Sequence, residues 1–263
     1  MSLSEADILQ LTQAKQLLEN PGLAAKITDF IGTPIEKGFS LLPKSVSGGI
    51  GKVTQMALTK ASDAALFTMK EAPGEQSSDR WHKLGVAVSG GVGGFFGLSA
   101  LAIELPISTT IMLRSIADVA RSEGEQLNDI ETKMACLEVF ALGGESTDDD
   151  QAEKGYFAVR TVLANSIAET AEYIAAKGFS KEAGPMMVKF VTVIAERFGV
   201  QVTQKMAAQA VPAIGAAGGA IINTLFIDHF QDMARGHFIV RRLERKYGGE
   251  SVRLAYDSLL MTE

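Results

Sequence analysis

An uncharged, glycine-rich stretch from Leu84 to Ile103 constrains the fold more than any other part of this sequence. Within it, small residues recur at every fourth position, so on a helix they form one ridge that carries almost no side chains. A glycine inside a helix costs roughly 1 kcal/mol relative to alanine, and close approach of a second helix backbone is a gain that offsets this cost. We therefore expect this stretch to be a helix packed against another helix. The residues of the ridge are Gly85, Ser89, Gly93 and Gly97.

A second uncharged stretch, from Met206 to Ile227, has small residues at the same spacing, at Gly215, Gly219 and Asn223. The matched ridges predict two helices in contact, with Gly93 or Gly97 near Gly215 or Gly219. Elsewhere apolar residues recur at helical spacing, and strand-like alternation of apolar and polar residues does not persist. We therefore predict an all-α fold, a helical bundle around two glycine-rich apolar helices packed as a pair.

The composition changes at Trp81, after a polar loop over residues 72–79 that contains proline and glycine. Before this point the chain has short helical segments with capping residues at their starts, and after it come the long apolar segments. We therefore expect an N-terminal helical lobe over residues 1–80 and a larger helical domain over residues 81–263. Trp81, which is followed by His82 and Lys83, serves either as an anchor at a membrane interface or as a partly buried residue that closes a hydrophobic core.

The charge and the cysteine content exclude several classes of protein. The 263 residues carry a formal net charge of −6 without clusters of lysine and arginine, so we expect no nucleic-acid partner. Cys136 is the single cysteine, which excludes an internal disulfide. The N-terminal residues lack the basic and apolar segments of an export signal. Together these features predict a cytoplasmic protein.

Glu104 interrupts the apolar run just before Pro106, which we expect to begin the next helix. A carboxylate there either interacts with the free N–H groups of that helix or is buried with a raised pKa, as a proton carrier or general base. Arg114 and Asp118 are four residues apart and can pair, on a solvated face or in a buried network. Because the flanking segments are so apolar, we expect these charged residues to lie in the interior with polar partners. The candidate partners are Arg160, Asn223 and Asp228.

Asn223 lies in an otherwise apolar segment, either as a hydrogen-bonding latch between helices or as a contact to a ligand. Asp228 and His229 follow that segment, and His237 lies two helical turns further on. The shorter spacing of a zinc-binding His-x-x-x-His pair is missing, so we predict no metal site. The sequence also lacks a nucleophile elbow, a Walker A loop, paired cysteines and a dinucleotide-binding motif. We therefore predict no cofactor and assign no catalytic residue.

Four segments carry a resemblance to a known family: GLSALAIELPISTTIMLRSIADVARSEGEQL, MACLEVFALGG, KGYFAVR and AVPAIGAAGGAIINTLFIDHF. Over residues 81–247 the chain resembles the EcsC-like family of bacterial proteins. The Glu-Leu-Pro element at residues 104–106 and the small-residue element at residues 212–223 are specific in combination. The resemblance implies a helical fold. It also implies a link to membranes or export, because the family takes its name from an operon that encodes an ABC transporter. It implies no catalytic residues.

Three functions are compatible with these features. The first is a membrane-associated protein that docks or inserts its glycine-rich helices into a bilayer or a membrane protein. The second is a soluble helical protein whose glycine-rich pair forms a tight core or holds a lipid-like ligand. The third is a hydrolase of unrecognised type that uses Glu104, Asp228 or His229. Stretches of roughly 20 residues are long enough to span a bilayer. However, the many glycines and the small number of basic residues beside these stretches argue against helices that span a membrane. We favour a cytoplasmic protein that associates peripherally with a membrane, with integral insertion left open.

Overall fold

The computed structural model describes residues 3–19, 22–32, 34–42, 44–68, 98–143, 155–177, 184–211 and 215–259. No strand occurs within these ranges, and the all-α fold predicted from the sequence is confirmed. A short 3₁₀ turn, Val139–Ala141, directly follows the sixth helix. In chain order the helices are α1 Glu5–Glu19, α2 Leu23–Ile31, α3 Glu36–Leu41, α4 Lys44–Thr68, α5 Leu98–Ser122, α6 Ile130–Glu138, α7 Tyr156–Lys177, α8 Gly184–Gln209, α9 Gly215–Tyr247 and α10 Gly249–Ser258.

Helix α9 is the centre of the bundle. It is 33 residues long and contacts α1, α5, α8 and α10. The ring of Phe230 on α9 lies 5.3 Å from that of Phe140 and 5.4 Å from that of Phe198, measured between centroids, and all three side chains are buried. Burial of an aromatic side chain contributes about 1.5–3 kcal/mol. This aromatic cluster therefore holds α9 against α8 and the 3₁₀ turn.

Glycines bring two other pairs of helices close together. Gly38 of α3 faces the backbone of Ala207 in α8, where an added Cβ would collide with the carbonyl group. A Cβ on Gly236 of α9 would lie 2.6 Å from Cγ of Leu18 in α1. Helices that precede residue 80 are thereby packed on helices that follow it. The expected division of the chain at residue 80 falls outside the described ranges and stays a prediction.

Pro106 does not begin a helix, so this expectation is wrong. It lies inside α5, two turns after the helix begins at Leu98. A proline in a helix interior removes a backbone hydrogen bond and costs about 3 kcal/mol. Leu101 and Leu105 are 2% and 0% exposed, and the burial of two leucine side chains contributes about 3–6 kcal/mol. Packing therefore offsets the helix-breaking tendency of the proline, and Glu104 lies in a helix interior rather than near a helix N-terminus.

The stretch Met206–Ile227 is not a single helix, and the prediction that it would be continuous is also wrong. Helix α8 ends at Gln209, and α9 begins at Gly215. Between them, the N–H groups of Ala210 and Val211 donate to carbonyl groups three residues earlier, which closes α8 with a tight turn. Val211 precedes a proline in the sequence, and the residue before a proline is disfavoured in the α conformation.

The first small-residue ridge lies outside the described part of the chain, as do Trp81 and His82. The predicted contact between the two glycine ridges therefore stays a prediction. On the second ridge, Gly215 begins α9 and Gly219 is buried one turn later. Among the helices as far as they are described, none combines the length and the apolar character needed to cross a bilayer. The ridge residues left as predictions are Gly85, Ser89, Gly93 and Gly97.

Candidate functional site

Three helices contribute buried side chains to a place in the interior that we call the Glu104 site. Its members are Glu104 of α5, Lys205 of α8, and Asn223 and Phe226 of α9. Nζ of Lys205 donates a hydrogen bond to Oε1 of Glu104 at 2.8 Å. Glu104 is 8% exposed, and Lys205 is fully buried. Because a buried charge requires a partner, each of these side chains makes the burial of the other tolerable.

Lys205 was not selected from the sequence, because 101 residues separate it from Glu104 and because most lysines are solvated. A signal was nevertheless present. Glu104 is the first charged residue after the stretch that begins at Leu84, and Lys205 is the last charged residue before the stretch that begins at Met206. Opposite charges at the boundaries of two uncharged stretches favour an ion pair once those stretches are buried near each other.

Phe226 connects this ion pair to the second stretch. Nζ of Lys205 lies 5.0 Å from the centroid of the Phe226 ring. Asn223 precedes Phe226 by three residues, so the two share one face of α9. Long side chains on a helix lean toward its N-terminus, which directs the Phe226 ring over the turn that contains Asn223. Asn223 therefore lies one helical turn from the ring that contacts Lys205.

The amide group of Asn223 is unsatisfied. The side chain is fully buried, and neither Oδ1 nor Nδ2 has a hydrogen-bond partner in the described structure. Leaving a buried polar group unpaired costs about 1–3 kcal/mol, and native interiors pair nearly all such groups. The interhelical latch considered for Asn223 is therefore not formed among these residues.

Gly219 is a further residue on this face of α9. It lies one turn before Asn223 on the same face of α9, and it is buried. No atom of the described residues lies within 4 Å of a Cβ built on Gly219. The Glu104 site therefore combines a buried ion pair with a buried, unsatisfied amide.

Arg114 lies on the outside of α5, so the expectation that it belongs to the interior is wrong. The helical period places Arg114 on the same exposed stripe as Ile103 and Ile107, whereas the positions between them face the core. Asp118 is half-buried, and its Oδ1 accepts a hydrogen bond from Arg121 at 3.2 Å. Spacing alone did not distinguish the solvated stripe of this helix from its buried face.

A second buried polar group, which we call the His237 cluster, lies between α6, α7 and α9 and consists of Glu138, Tyr156, Arg160, His237 and Glu244. Nδ1 of His237 lies 2.9 Å from the Tyr156 hydroxyl, and its Nε2 lies 3.7 Å from Oε2 of Glu138. Arg160 donates hydrogen bonds to both carboxylate oxygens of Glu244, at 2.7 and 3.1 Å. The structure therefore places Arg160 in this cluster, with a partner on α9, rather than in the Glu104 site.

Burial determines the protonation of the His237 cluster. Loss of solvent raises the pKa of Glu138 to about 7, although the Arg160 guanidinium opposes that shift. Burial also raises the pKa of Tyr156 far above its usual value and lowers the pKa of His237 well below its usual value. A neutral imidazole between a phenol and a carboxyl group is capable of proton transfer. However, none of these three side chains is more than 4% exposed, which keeps a substrate away from them.

His229 lies in a different part of the interior. Its Nε2 is 3.5 Å from Nε2 of Gln201, which donates to the carbonyl of Leu142 at 2.7 Å. Burial lowers the pKa of His229 to about 3, so the imidazole is neutral at pH 7. Its neighbour Asp228 is half-buried. Across the described ranges, no three His, Cys, Asp or Glu side chains are grouped so that they could hold a metal ion.

Comparison with known proteins gives a match at the level of the family. The model of the EcsC protein family matches residues 7–243, which is most of the chain. The match includes α1 to α4 and therefore begins well before Trp81, where the resemblance noted in the sequence starts. No curated protein and no solved structure matches the chain.

Proposed function

The chain belongs to the EcsC protein family, and we propose that it associates peripherally with lipid membranes through apolar side chains near the start of α5. The observation that carries this proposal is a pair of exposed isoleucines on one face of that helix. Ile103 is 70% exposed and Ile107 is 49% exposed, and the two are one helical turn apart. Moving both into an apolar phase would contribute about 2–4 kcal/mol, scaled from the value for a fully buried side chain.

The position of these isoleucines in the sequence also supports the proposal. They follow directly after the uncharged, glycine-rich residues 84–102. Ile221, in the second uncharged stretch and near the start of α9, is 42% exposed as well. A contiguous exposed apolar patch on a folded protein is typical of a surface that binds a partner or a membrane.

The charges predict how such binding would respond to salt. The net charge of −6 opposes capture by anionic headgroups. Arg114, exposed on the same stripe as Ile107 and about 10 Å further along the helix, supplies one cation at the depth of the headgroups. Binding should therefore depend weakly on ionic strength and strongly on insertion of apolar side chains.

Flotation of the full chain with liposomes tests this proposal. Vesicles of phosphatidylcholine, with and without phosphatidylglycerol, would be used over a range of salt concentrations. We expect the wild type to float with both, and the double variant Ile103→Glu/Ile107→Glu to lose at least tenfold in partitioning. Leu254→Glu on α10 is the matched control, because Leu254 is 65% exposed but lies on a different helix. If the wild type stays at the bottom of the gradient, or the control variant loses binding equally, the proposal fails.

A further inference from the structure

We infer that a cleft between α1, α5 and α9 binds a small organic carboxylate, such as a short alkanoate. The cleft has a volume of about 240 Å³ and is open to solvent. Its walls include Gln10 and Gln13 of α1, Val119 of α5, and Arg235, Ile239 and Arg242 of α9. Along α5 the cleft lies about 24 Å from Ile103, so this site is separate from the apolar surface proposed to meet a membrane.

Two arginines give the cleft its attraction for an anion. Arg235 and Arg242 lie on one face of α9, about 10 Å apart along the helix axis. Their side chains are 38% and 35% exposed, so a ligand can reach both guanidinium groups. A guanidinium group has five N–H donors in a planar fork, and this fork matches the two oxygens of a carboxylate.

Arg242 is held in place by side chains from the other two walls of the cleft. Its Nη1 lies 2.9 Å from Oε2 of Glu123, which directly follows α5. Its Nη2 donates a hydrogen bond to Oε1 of Gln10 on α1 at 2.6 Å. Two contacts leave further donors of the guanidinium group for a ligand. Because the side chain is already ordered, binding loses less conformational entropy there.

The charges around the cleft favour a ligand with one negative charge. Among the charged residues that line it, Arg235 and Arg242 outnumber Glu123. Asp232 lies 3.7 Å from Arg235, but it also pairs with Lys26 at 3.1 Å, so these three groups together keep one positive charge. A phosphate monoester with two negative charges would be repelled by the Glu123 carboxylate and by the C-terminal end of α5.

The bottom of the cleft is apolar and small. Val119 and Ile239 line it and are 2% and 7% exposed. A short hydrocarbon chain attached to the carboxylate would cover the part of these side chains that water still reaches. Pockets for drug-sized ligands measure about 300–1,000 Å³, so a cleft of about 240 Å³ suits a ligand of only a few carbons.

The test uses isothermal titration of the purified full chain with sodium pentanoate, at an ionic strength kept constant with sodium chloride. We expect saturable binding. Arg235→Gln should weaken it at least tenfold, because charge-assisted hydrogen bonds to the carboxylate are lost. Arg235→Lys keeps the charge but not the planar fork, and it should also weaken binding. The matched control is Arg253→Gln on α10, which removes the same charge from an exposed position outside the cleft and should bind like the wild type.

Two further probes and one variant test the class of ligand. The alcohol 1-pentanol carries no charge, and butyl phosphate carries nearly two negative charges at pH 8, so each should bind the wild type at least tenfold more weakly than pentanoate. Glu123→Gln removes the repelling carboxylate and should therefore strengthen the binding of butyl phosphate several-fold.

Several results would overturn the inference. It fails if the wild type does not bind pentanoate, if both Arg235 variants bind as tightly as the wild type, or if Arg253→Gln loses as much affinity as they do. Equal binding of 1-pentanol would show that the arginines do not recognise the anion. Equal binding of butyl phosphate, or no gain for Glu123→Gln, would contradict the preference for one negative charge. No lipid takes part in this assay, so its outcome is separate from that of the flotation experiment.

Discussion

Replacing Lys205 by methionine removes the positive half of the buried ion pair while nearly keeping the volume of the side chain. Lys205 is fully buried and Glu104 is 8% exposed, so the variant leaves a carboxylate in the interior without its partner at 2.8 Å. Breaking a buried pair by removal of one member costs about 3–5 kcal/mol. The contact of Lys205 with the Phe226 ring adds little to this loss, because methionine also packs well against aromatic rings. We therefore expect Lys205→Met to lower the free energy of unfolding by about 3–5 kcal/mol.

A double-mutant cycle in urea isolates the interaction. Glu104→Gln alone should also destabilise the protein, because the Lys205 ammonium then lacks a charge partner. The double variant Glu104→Gln/Lys205→Met has no unpaired charge, so most of the loss should be recovered and the free energies of the single variants should not add. The control is Lys189→Met, which removes the lysine of an ion pair with Glu169 that is more than half exposed. Exposed pairs contribute about 0–1 kcal/mol.

Two results would refute this reasoning. One is a loss for Lys205→Met no larger than that for Lys189→Met, which would mean that Glu104 is solvated in the folded protein. The other is simple additivity of the two single variants, which would mean that Glu104 and Lys205 do not interact. The slope of the unfolding free energy with urea should be equal in all variants, since a change in slope would signal an altered unfolded state.

Two further predictions concern a glycine and a titrating carboxyl group. Gly143 has a φ of 70°, and a Cβ there would lie 2.6 Å from the His229 ring. Gly32 has a similar φ of 65°, but no described atom lies within 4 Å of its Cβ position, so Gly32→Ala should cost only the backbone strain of about 1–2 kcal/mol. Gly143→Ala should therefore lower the melting temperature more than Gly32→Ala. The pKa of Glu138 is about 7 in the folded protein and 4.5 when unperturbed, so the folded state retains the proton and loses stability as pH rises from 4.5 to 7. Relative to Glu138→Gln, the wild type should lose about 3 kcal/mol of unfolding free energy over this interval in urea titrations, and parallel curves for the two proteins would contradict the assignment.

The sequence by itself determined the class of the fold and the limits on function. Helical spacing of apolar residues is a local property, so it predicted an all-α chain without knowledge of which helices meet. The scarcity of clustered basic residues and the family resemblance are equally independent of the tertiary structure. The choice of Glu104 and Asn223 as unusual polar residues was also local, because Glu104 ends one long uncharged run and Asn223 is a polar residue inside the other.

The tertiary structure alone decided which polar residues meet. Glu104 pairs with Lys205 across 101 residues, and Arg160 pairs with Glu244 rather than with Glu104. Arg114, which the same local reasoning placed in the interior, lies in the solvent-exposed stripe of its helix. Pro106 remains inside a helix because the leucines around it are buried. Local spacing defines the faces of a helix, but the free energy of packing several helices together decides which face is buried, which charge receives a partner and which local preference is overruled.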